Sequence, residues 1–345
     1  MRVPCSSPAR YNHPRAMIHS LYLGRVLYDE ALRLQEELVE LRRANRIANT
    51  LLLLEHPPVL TLGRNANRAN ILASDELLRA RGVTLHQINR GGDVTFHGPG
   101  QLVGYPIFDL RTFVRPGGGR MGPVDFVRLM EEALTRLCAQ YGVPAGRIPG
   151  LTGVWCGGGS SEEELGTEQA AEAPPAWKGD GLSRAVSGRE SLGPSGPEGR
   201  FSSRPDGEQK RKIAAIGIHV SRGITSHGFA FNLSTDLAGF TLIHPCGIAS
   251  CPVTSLAIEF SGAAPTLESL AQEAARQFGI VFSQPVVALE GLAALRAAAS
   301  SGVPDAAPAP TPDAPAPEYP AQDTPLQIPR EVERLRGLPE RPSRA

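Results

Sequence analysis

Cys246 sits in the stretch IHPCGIAS, between Pro245, which fixes the backbone before it, and Gly247, which permits an unusual dihedral after it. That setting suits a nucleophilic thiol presented on a turn. It equally suits a buried structural cysteine, since free cysteine is among the most buried residue types. A metal site drawn from His227, His244, Cys246 and Cys251 is a third reading, weakened by the lack of the close CxxC or HxxxH pairing typical of zinc ligands.

A thiol becomes a nucleophile when its pKa is lowered, and a nearby cation is one standard means. Lys212 opens the apolar run KIAAIGIHV directly after Lys210 and Arg211, so it reads either as the last member of a solvated basic cluster or as a cation carried by a strand to the thiol. His97, in RGGDVTFHGPGQLVGYP, suits a general base, a donor to a carbonyl, or a structural histidine. Gly91, Gly92, Gly98 and Gly100 around it suggest a backbone that passes close to a ligand. No GK[ST] follows and no GxGxxG occurs within this stretch, so phosphate cradling is not the natural reading.

The elements that must position these groups follow from periodicity. Leu27, Ala31, Leu34, Leu38 and Leu41, spaced by three and four, predict an amphipathic helix whose other face carries Glu36, Glu37, Glu40, Arg42 and Arg43. Phe126, Met130, Ala133, Leu137 and Tyr141 predict a second, and Leu267, Leu270, Ala271, Ala274 and Phe278 a third, with Thr266 as its N-cap. NTLLLLEH and GQLVGYPIFDL read as buried strands. KIAAIGIHV places Ile216, Ile218 and Val220 on one face, with an antiparallel partner in GFAFNL. Without strict βαβ alternation, the expected class is α+β with a mixed, largely antiparallel sheet.

The chain has 345 residues with 35 basic and 35 acidic side chains, so charge alone argues for neither nucleic acid nor an anionic membrane as partner. Five cysteines, an odd number without a CxxC pair, suit free thiols in a reducing cytosol, and the expected location is cytoplasmic. No apolar run is long enough for a transmembrane helix. Four segments are expected: a poorly ordered start over 1–16, one domain over 17–156 and 210–298, a disordered Gly/Ser/Glu-rich insertion over 157–209, and a disordered Pro/Ala-rich tail over 299–345, in which EVERLRGL suits a helical turn or two.

Five blocks, EHPPVLTLGR (55–64), RGGDVTFHGPGQLVGYPIFDL (90–110), GVW (153–155), KIAAIGIHVSRGITSHGFAFNL (212–233) and HPCGIASCPVTSL (244–256), together resemble the lipoyl(octanoyl) transferases, in that family's order. The resemblance implies a fold related to the catalytic domain of biotin and lipoate protein ligases. It implies a reaction in which an octanoyl group passes from octanoyl-acyl carrier protein to a lysine of a lipoyl domain, in 2-oxoacid dehydrogenase complexes or the glycine cleavage H protein. It implies no cofactor, no ATP, no metal, no nucleic acid and no membrane. By resemblance Cys246 is the acyl-thioester nucleophile and Lys212 its partner. The substrate-contacting segments fall on Arg90, Gly91, Gly92, Asp93, Val94, Thr95, Phe96 and His97, on Ala215, Ile216 and Gly217, and on Gly228, Phe229 and Ala230. His97 is then expected to line or orient the acyl group, and the glycines to let the backbone approach it. Small residues beside an acyl chain suit it, since each buried methylene is worth about 0.8 kcal/mol. The departure from the family is spacing, because Lys212 follows Trp155 by 57 positions where a short turn is usual. The alternatives are an ATP-dependent lipoate or biotin protein ligase, or a silent acyl-binding module of the same fold.

Overall fold

Along the chain, strand and helix alternate irregularly: β1 (Ile18–Arg25), α1 (Tyr28–Arg43), β2 (Asn49–Glu55), β3 (Val59–Leu62), α2 (Asp75–Ala80), β4 (Thr84–Gln87), β5 (Val94–His97) and β6 (Gln101–Ile107). There follow α3 (Pro123–Gln140), β7 (Ala145–Ile148), β8 (Leu151–Cys156), β9 (Arg211–Ser221), β10 (Ile224–Asn232), α4 (Leu256–Glu259), α5 (Leu267–Val281), β11 (Val286–Ala288) and α6 (Gly291–Ser300). This computed structural model describes residues 17–114, 118–157, 210–244 and 252–300. Cys246 and Cys251, the start over 1–16, nearly all of the expected insertion and the tail beyond Ser300, with EVERLRGL, lie outside the described residues, whereas Ala299 and Ser300, expected in the tail, end α6.

Eight strands form one sheet in the order β11-β1-β2-β6-β10-β9-β8-β7, and β4-β3-β5 form a second. Only β11, β1 and β2 run parallel in the large sheet, so the class is α+β with a mixed, largely antiparallel sheet. Every residue of β2 and β6 is buried, because both faces of the sheet are covered. On one face α3 and α5 bury Phe126, Leu134, Leu270 and Phe278 against Leu51, Leu53, Phe229 and Phe231. On the other, α1 and α6 pack Ala31, Leu38 and Leu295 on Leu52, Leu54 and Val103. Each large apolar side chain removed from water stabilises this arrangement by about 1.5–3 kcal/mol.

Thr266 caps α5 by accepting from the Ser269 amide, as the sequence pattern requires. Two expected positions on the first helix differ from the periodic reading. Leu27 precedes α1 and is 56% exposed. Arg42, expected on the solvent face, is buried and donates to the side-chain oxygens of Asn49 and Asn45, 3.0 Å each, which secures the turn into β2. Tyr141 likewise lies just past α3, half-buried against Phe260.

Pro106 stands in a central strand, where its missing N–H would leave the ladder one donor short. The pairing of β10 with β6 ends at Phe229 and Gly104, short of Pro106, and the groups beyond it find other partners. Thr225 Oγ1 donates to the Pro106 carbonyl at 2.6 Å, and His227, in the left-handed region at φ 54°, turns its amide to Gln35 Oε1 of α1 at 2.8 Å.

Candidate active site

Strict alternation along β9 would put Lys212 on the same face as Ile216 and Ile218. A register shift opposite Val154 and Trp155 of β8 breaks that alternation. Lys212 consequently shares a small cavity with Ala215 rather than joining the core. The residue is 7% exposed, and its Nζ lies 5.1 Å from the centroid of the Trp155 ring, whose π face attracts the ammonium. Gly153 makes room for the lysine stem. A Cβ there would stand 2.7 Å from Lys212 Cε and 2.5 Å from the Ala214 carbonyl, and φ is +122°. The buried carboxylate of Glu131 accepts from the Gly153 amide at 3.0 Å and fixes this turn of β8 from α3.

The described residues on either side of Cys246 are pinned to known points. Ahead of it, the His244 amide donates to the Asn70 carbonyl at 2.7 Å. Asn70 is in turn held by Asp93, whose carboxylate accepts from the Asn70 side chain, from the Asn67 amide at 3.2 Å and from the Val94 amide at 2.8 Å. After it, the Lys212 amide donates to the Pro252 carbonyl at 2.8 Å and the Thr254 amide donates to the Lys212 carbonyl at 3.0 Å.

The stretch from Arg90 to His97 splits by side. Arg90 is buried and turned inward, donating to Thr61 O at 2.8 Å, to Thr61 Oγ1 at 2.9 Å and to the Gly91 carbonyl at 2.9 Å. Gly91 donates its amide to Ile218 O at 2.9 Å, tying the small sheet to β9, and a side chain on Gly92 would meet the Arg90 guanidinium. Val94 and Phe96 point into the small sheet's own core, where the Phe96 ring meets Phe240 at 5.6 Å. Thr95 faces the cavity and His97 lies on the same side of β5. The sequence suggested that the glycines free space for a ligand. At Gly100 the close neighbour is instead the protein itself, since a Cβ would stand 2.7 Å from the Ser234 carbonyl, and φ is +79°.

On β9 and β10 the same split recurs. Ile216 and Phe229 pack into the main core, Phe229 stacking on Phe278 at 5.5 Å. Gly217 and Gly228 lie under backbone, within reach of Gly91 O and Gly104 O. Ala215 and Ala230 floor the cavity, which Thr95, Gln101, Lys212, Asn232, Phe240 and Val253 complete. Its volume is about 20 Å³, enough for about one water, so an acyl chain enters only with movement of the lining side chains.

A layer of buried rings lies beyond it. His56 donates Nδ1–H to the Val26 carbonyl at 2.8 Å, which leaves Nε2 to accept from the Tyr105 hydroxyl at 2.7 Å. Its ring meets His97 edge-on at 6.0 Å, and His97 stacks against Tyr28 at 6.4 Å. Burial pushes His97 down to about 3, with His56 adding to the shift and the Gln101 hydrogen bond opposing it. Burial likewise pushes His56 down to about 4 and His227 to about 3. All three imidazoles are neutral at pH 7. Cys138 and Cys156 are buried free thiols, Cys156 pushed up to about 12 by burial, so neither is an activated nucleophile.

Gln101, Asn232, Gly153, Trp155 and Asn70 escaped the sequence reading of the site. The GVW block was visible, but its function as a cradle depends on a strand pairing across 57 positions. Among the described residues no group of three or more His, Cys, Asp or Glu side chains suits a metal ion, and no helix is long and apolar enough to cross a membrane.

The class of protein that this mixed sheet and its buried lysine define follows from comparison with known families. Residues 27–279 match the family described as lipoyl protein ligase A/B catalytic domain, and the chain belongs to that family. An octanoyltransferase of Acidobacterium capsulatum is 50% identical over 276 residues, spanning 79% of this chain and 94% of that protein. An octanoyltransferase of Koribacter versatilis is 44% identical over 276 residues, spanning 80% and 88%. Among solved structures, a bi-partite lipoate protein ligase from Thermoplasma acidophilum superposes with a TM-score of 0.52 at 13% identity, over 83% of this chain and 91% of that one. At that identity the likeness concerns the fold alone.

Proposed function

We propose that this protein transfers an octanoyl group from octanoyl-acyl carrier protein to a lysine of lipoyl domains, those of 2-oxoacid dehydrogenase complexes and the glycine cleavage H protein, through an acyl thioester on Cys246. We assign the reaction to one domain, 17–156 with 210–298. In the first half-reaction Cys246 gives its proton to Lys212 and attacks the thioester carbonyl as a thiolate, the bond from carbonyl to carrier sulfur breaks, and the carrier thiolate takes that proton back from Lys212 as it leaves, which returns Lys212 to its neutral form. In the second, the neutral amine of the acceptor lysine attacks the acyl-Cys246 carbonyl. The carbon–sulfur bond breaks, an amide forms and the amine's proton is taken up as the thiol is regenerated. Exchange of one thioester for another is nearly balanced, and amide formation makes the sequence irreversible, so no nucleotide is needed.

One observation carries this reading: Lys212 is bonded through its backbone to Pro252 and Thr254, the first described stretch after Cys246, while its Nζ is buried over the Trp155 ring. An ammonium there favours the thiolate electrostatically in the first half-reaction. In its neutral form Lys212 is the base for the attacking amine in the second. The location we propose is cytoplasmic. The 50% identity to an octanoyltransferase supports the substrate class. The test is transfer from octanoyl-acyl carrier protein to an apo lipoyl domain without ATP, followed by intact mass. Octanoylated lipoyl domain is expected; transfer only on addition of ATP and free octanoate would overturn the reading in favour of a ligase.

A further inference from the structure

Gln101 and Asn232 face each other directly across β6 and β10, both buried, and both line the cavity that holds Lys212. Each carboxamide has one end against a backbone carbonyl, which only accepts. Gln101 Nε2 donates to Phe96 O at 3.3 Å, and Asn232 Nδ2 donates to Thr254 O at 2.9 Å. Neither amide can therefore be reversed without setting oxygen against oxygen. With both orientations fixed, Gln101 Nε2 also donates to Asn232 Oδ1 at 2.9 Å, and Gln101 Oε1 is left as the partner of His97 Nδ1 at 2.7 Å. An amide oxygen only accepts, so His97 carries its proton on Nδ1 and presents Nε2 as a lone-pair acceptor.

The chain continues at its far end. Thr254 donates its amide to the Lys212 carbonyl, and its hydroxyl donates to Glu259, which Arg211 chelates at 2.9 and 3.0 Å. A one-way run of donors thus begins at His97 in the small sheet, crosses β6 and β10, and ends on the backbone of Lys212 in β9.

We propose that Gln101 and Asn232 are positioning residues that fix His97 as its Nδ1–H tautomer, with Nε2 as a hydrogen-bond acceptor for the acceptor lysine's amine, and that join it rigidly to Lys212. The relevance to aminolysis rests on the transferase reading above; the tautomer assignment does not. Outer groups that orient a histidine typically matter by about 10–100-fold in activity. Replacing Gln101 with leucine removes both the acceptor for His97 and the donor to Asn232. Replacing Asn232 with aspartate puts a carboxylate oxygen against Thr254 O while keeping the acceptor for Gln101.

The experiment has two arms on the full chain. In the first, ¹⁵N-detected histidine NMR, with His97 assigned by its loss in His97→Gln, is expected to show the Nδ1–H form in the wild type and a mixture in Gln101→Leu. A wild-type Nε2–H form, or an unchanged Gln101→Leu spectrum, overturns the proposal. If Gln101→Leu does not fold, Gln101→Glu replaces it. A carboxylate beside His97, among His56, Tyr28, Arg90 and His227, is expected to raise the His97 titration midpoint by about one unit or more, and an unmoved midpoint is the overturning result. In the second arm, Gln101→Leu and Asn232→Asp are expected to slow release of octanoyl from Cys246 to the lipoyl domain by about tenfold or more, with KM for that domain changed less than about threefold. Equal loss in KM, or no loss, overturns the positioning role. Failure of the wild type to transfer octanoyl at all would sink the transferase reading and leave the first arm standing.

Discussion

The two ends of the hydrogen-bonded run surround their ionisable groups differently. At the Lys212 end a buried lysine has its stem admitted by Gly153 and its Nζ set over the Trp155 ring. At the other end His56 and His97 are neutral, buried against Tyr28 and Tyr105 with both Nδ1 protons committed to oxygen acceptors. Lys212 has room for its stem and a π face over its Nζ, whereas burial holds the two imidazoles neutral against the hydrogen bonds from their Nδ1 atoms, which favour the protonated ring. One fold thereby sets a lysine over a π face and neutral imidazoles a few strands apart.

If the chemistry belongs to the Lys212 end, removing its thiol gives the largest effect. Cys246→Ser is expected to abolish the octanoyl adduct in intact mass and to lower transfer by roughly a thousandfold or more, on the scale of nucleophile removals. A serine variant that still transfers at near wild-type rate would break the contrast outright. Next in size, Lys212→Ala is expected to raise the midpoint of thiol alkylation at Cys246 and to cut transfer by about 10²-fold or more. Lys212→Arg sharpens this, because it keeps a charge and loses the ability to act as a base. Alkylation is expected to stay near the wild-type profile while amide formation falls. An unchanged alkylation profile in Lys212→Ala would remove the electrostatic role.

Gly153→Ala probes how that end is built. The added Cβ meets Ala214 O at 2.5 Å and Lys212 Cε at 2.7 Å, at a φ of +122°. Thermal unfolding is expected to show a loss of about 1–3 kcal/mol, together with a smaller alkylation shift in the direction of Lys212→Ala. Gly146, on neighbouring β7 with open space around it, is the control, and Gly146→Ala is expected to stay within about 0.5 kcal/mol of wild type. Equal effects at the two glycines would mean that Gly153 is not a cradle for Lys212.

The strands and helices were legible because their apolar periods are strong: β2 and β6 read as continuous buried runs, and α5 with its Thr266 cap appears almost residue for residue. Leu27 and Arg42 were misread because period alone cannot say where a helix begins or which charged residue finds amide oxygens beneath the surface. Within RGGDVTFH, resemblance marks a segment while strand geometry sorts it, turning Thr95 to the cavity and Phe96 to the small core. The positions of Gly153, Trp155, Gln101 and Asn232 were illegible for a different reason. Their roles come from pairings between strands far apart in sequence, and a polar residue inside an apolar strand gives no sign of which neighbour will satisfy it.

A last expected effect lies at the neutral end and is read from acid stability. In the unfolded chain a histidine takes up a proton near 6.5, whereas in the fold His56 does so at about 4, and His97 and His227 at about 3. Over the interval from about pH 6.5 down to about pH 4, unfolding therefore takes up protons, and stability falls as pH falls. Above 6.5 these groups are neutral in both states and contribute no slope. Each histidine held neutral adds about 1.4 kcal/mol per pH unit to the slope within that window. Urea unfolding at a series of pH values from 4.5 to 6.5 measures it. His97→Gln is expected to remove about one histidine's share of the slope, and His56→Gln another. Gln101→Glu is expected to remove part of the His97 share, because a carboxylate lets the folded protein bind that proton at higher pH. If neither glutamine variant flattens the acid limb, the imidazoles are not held neutral by the fold, and the asymmetry between the two ends must come from Lys212 alone.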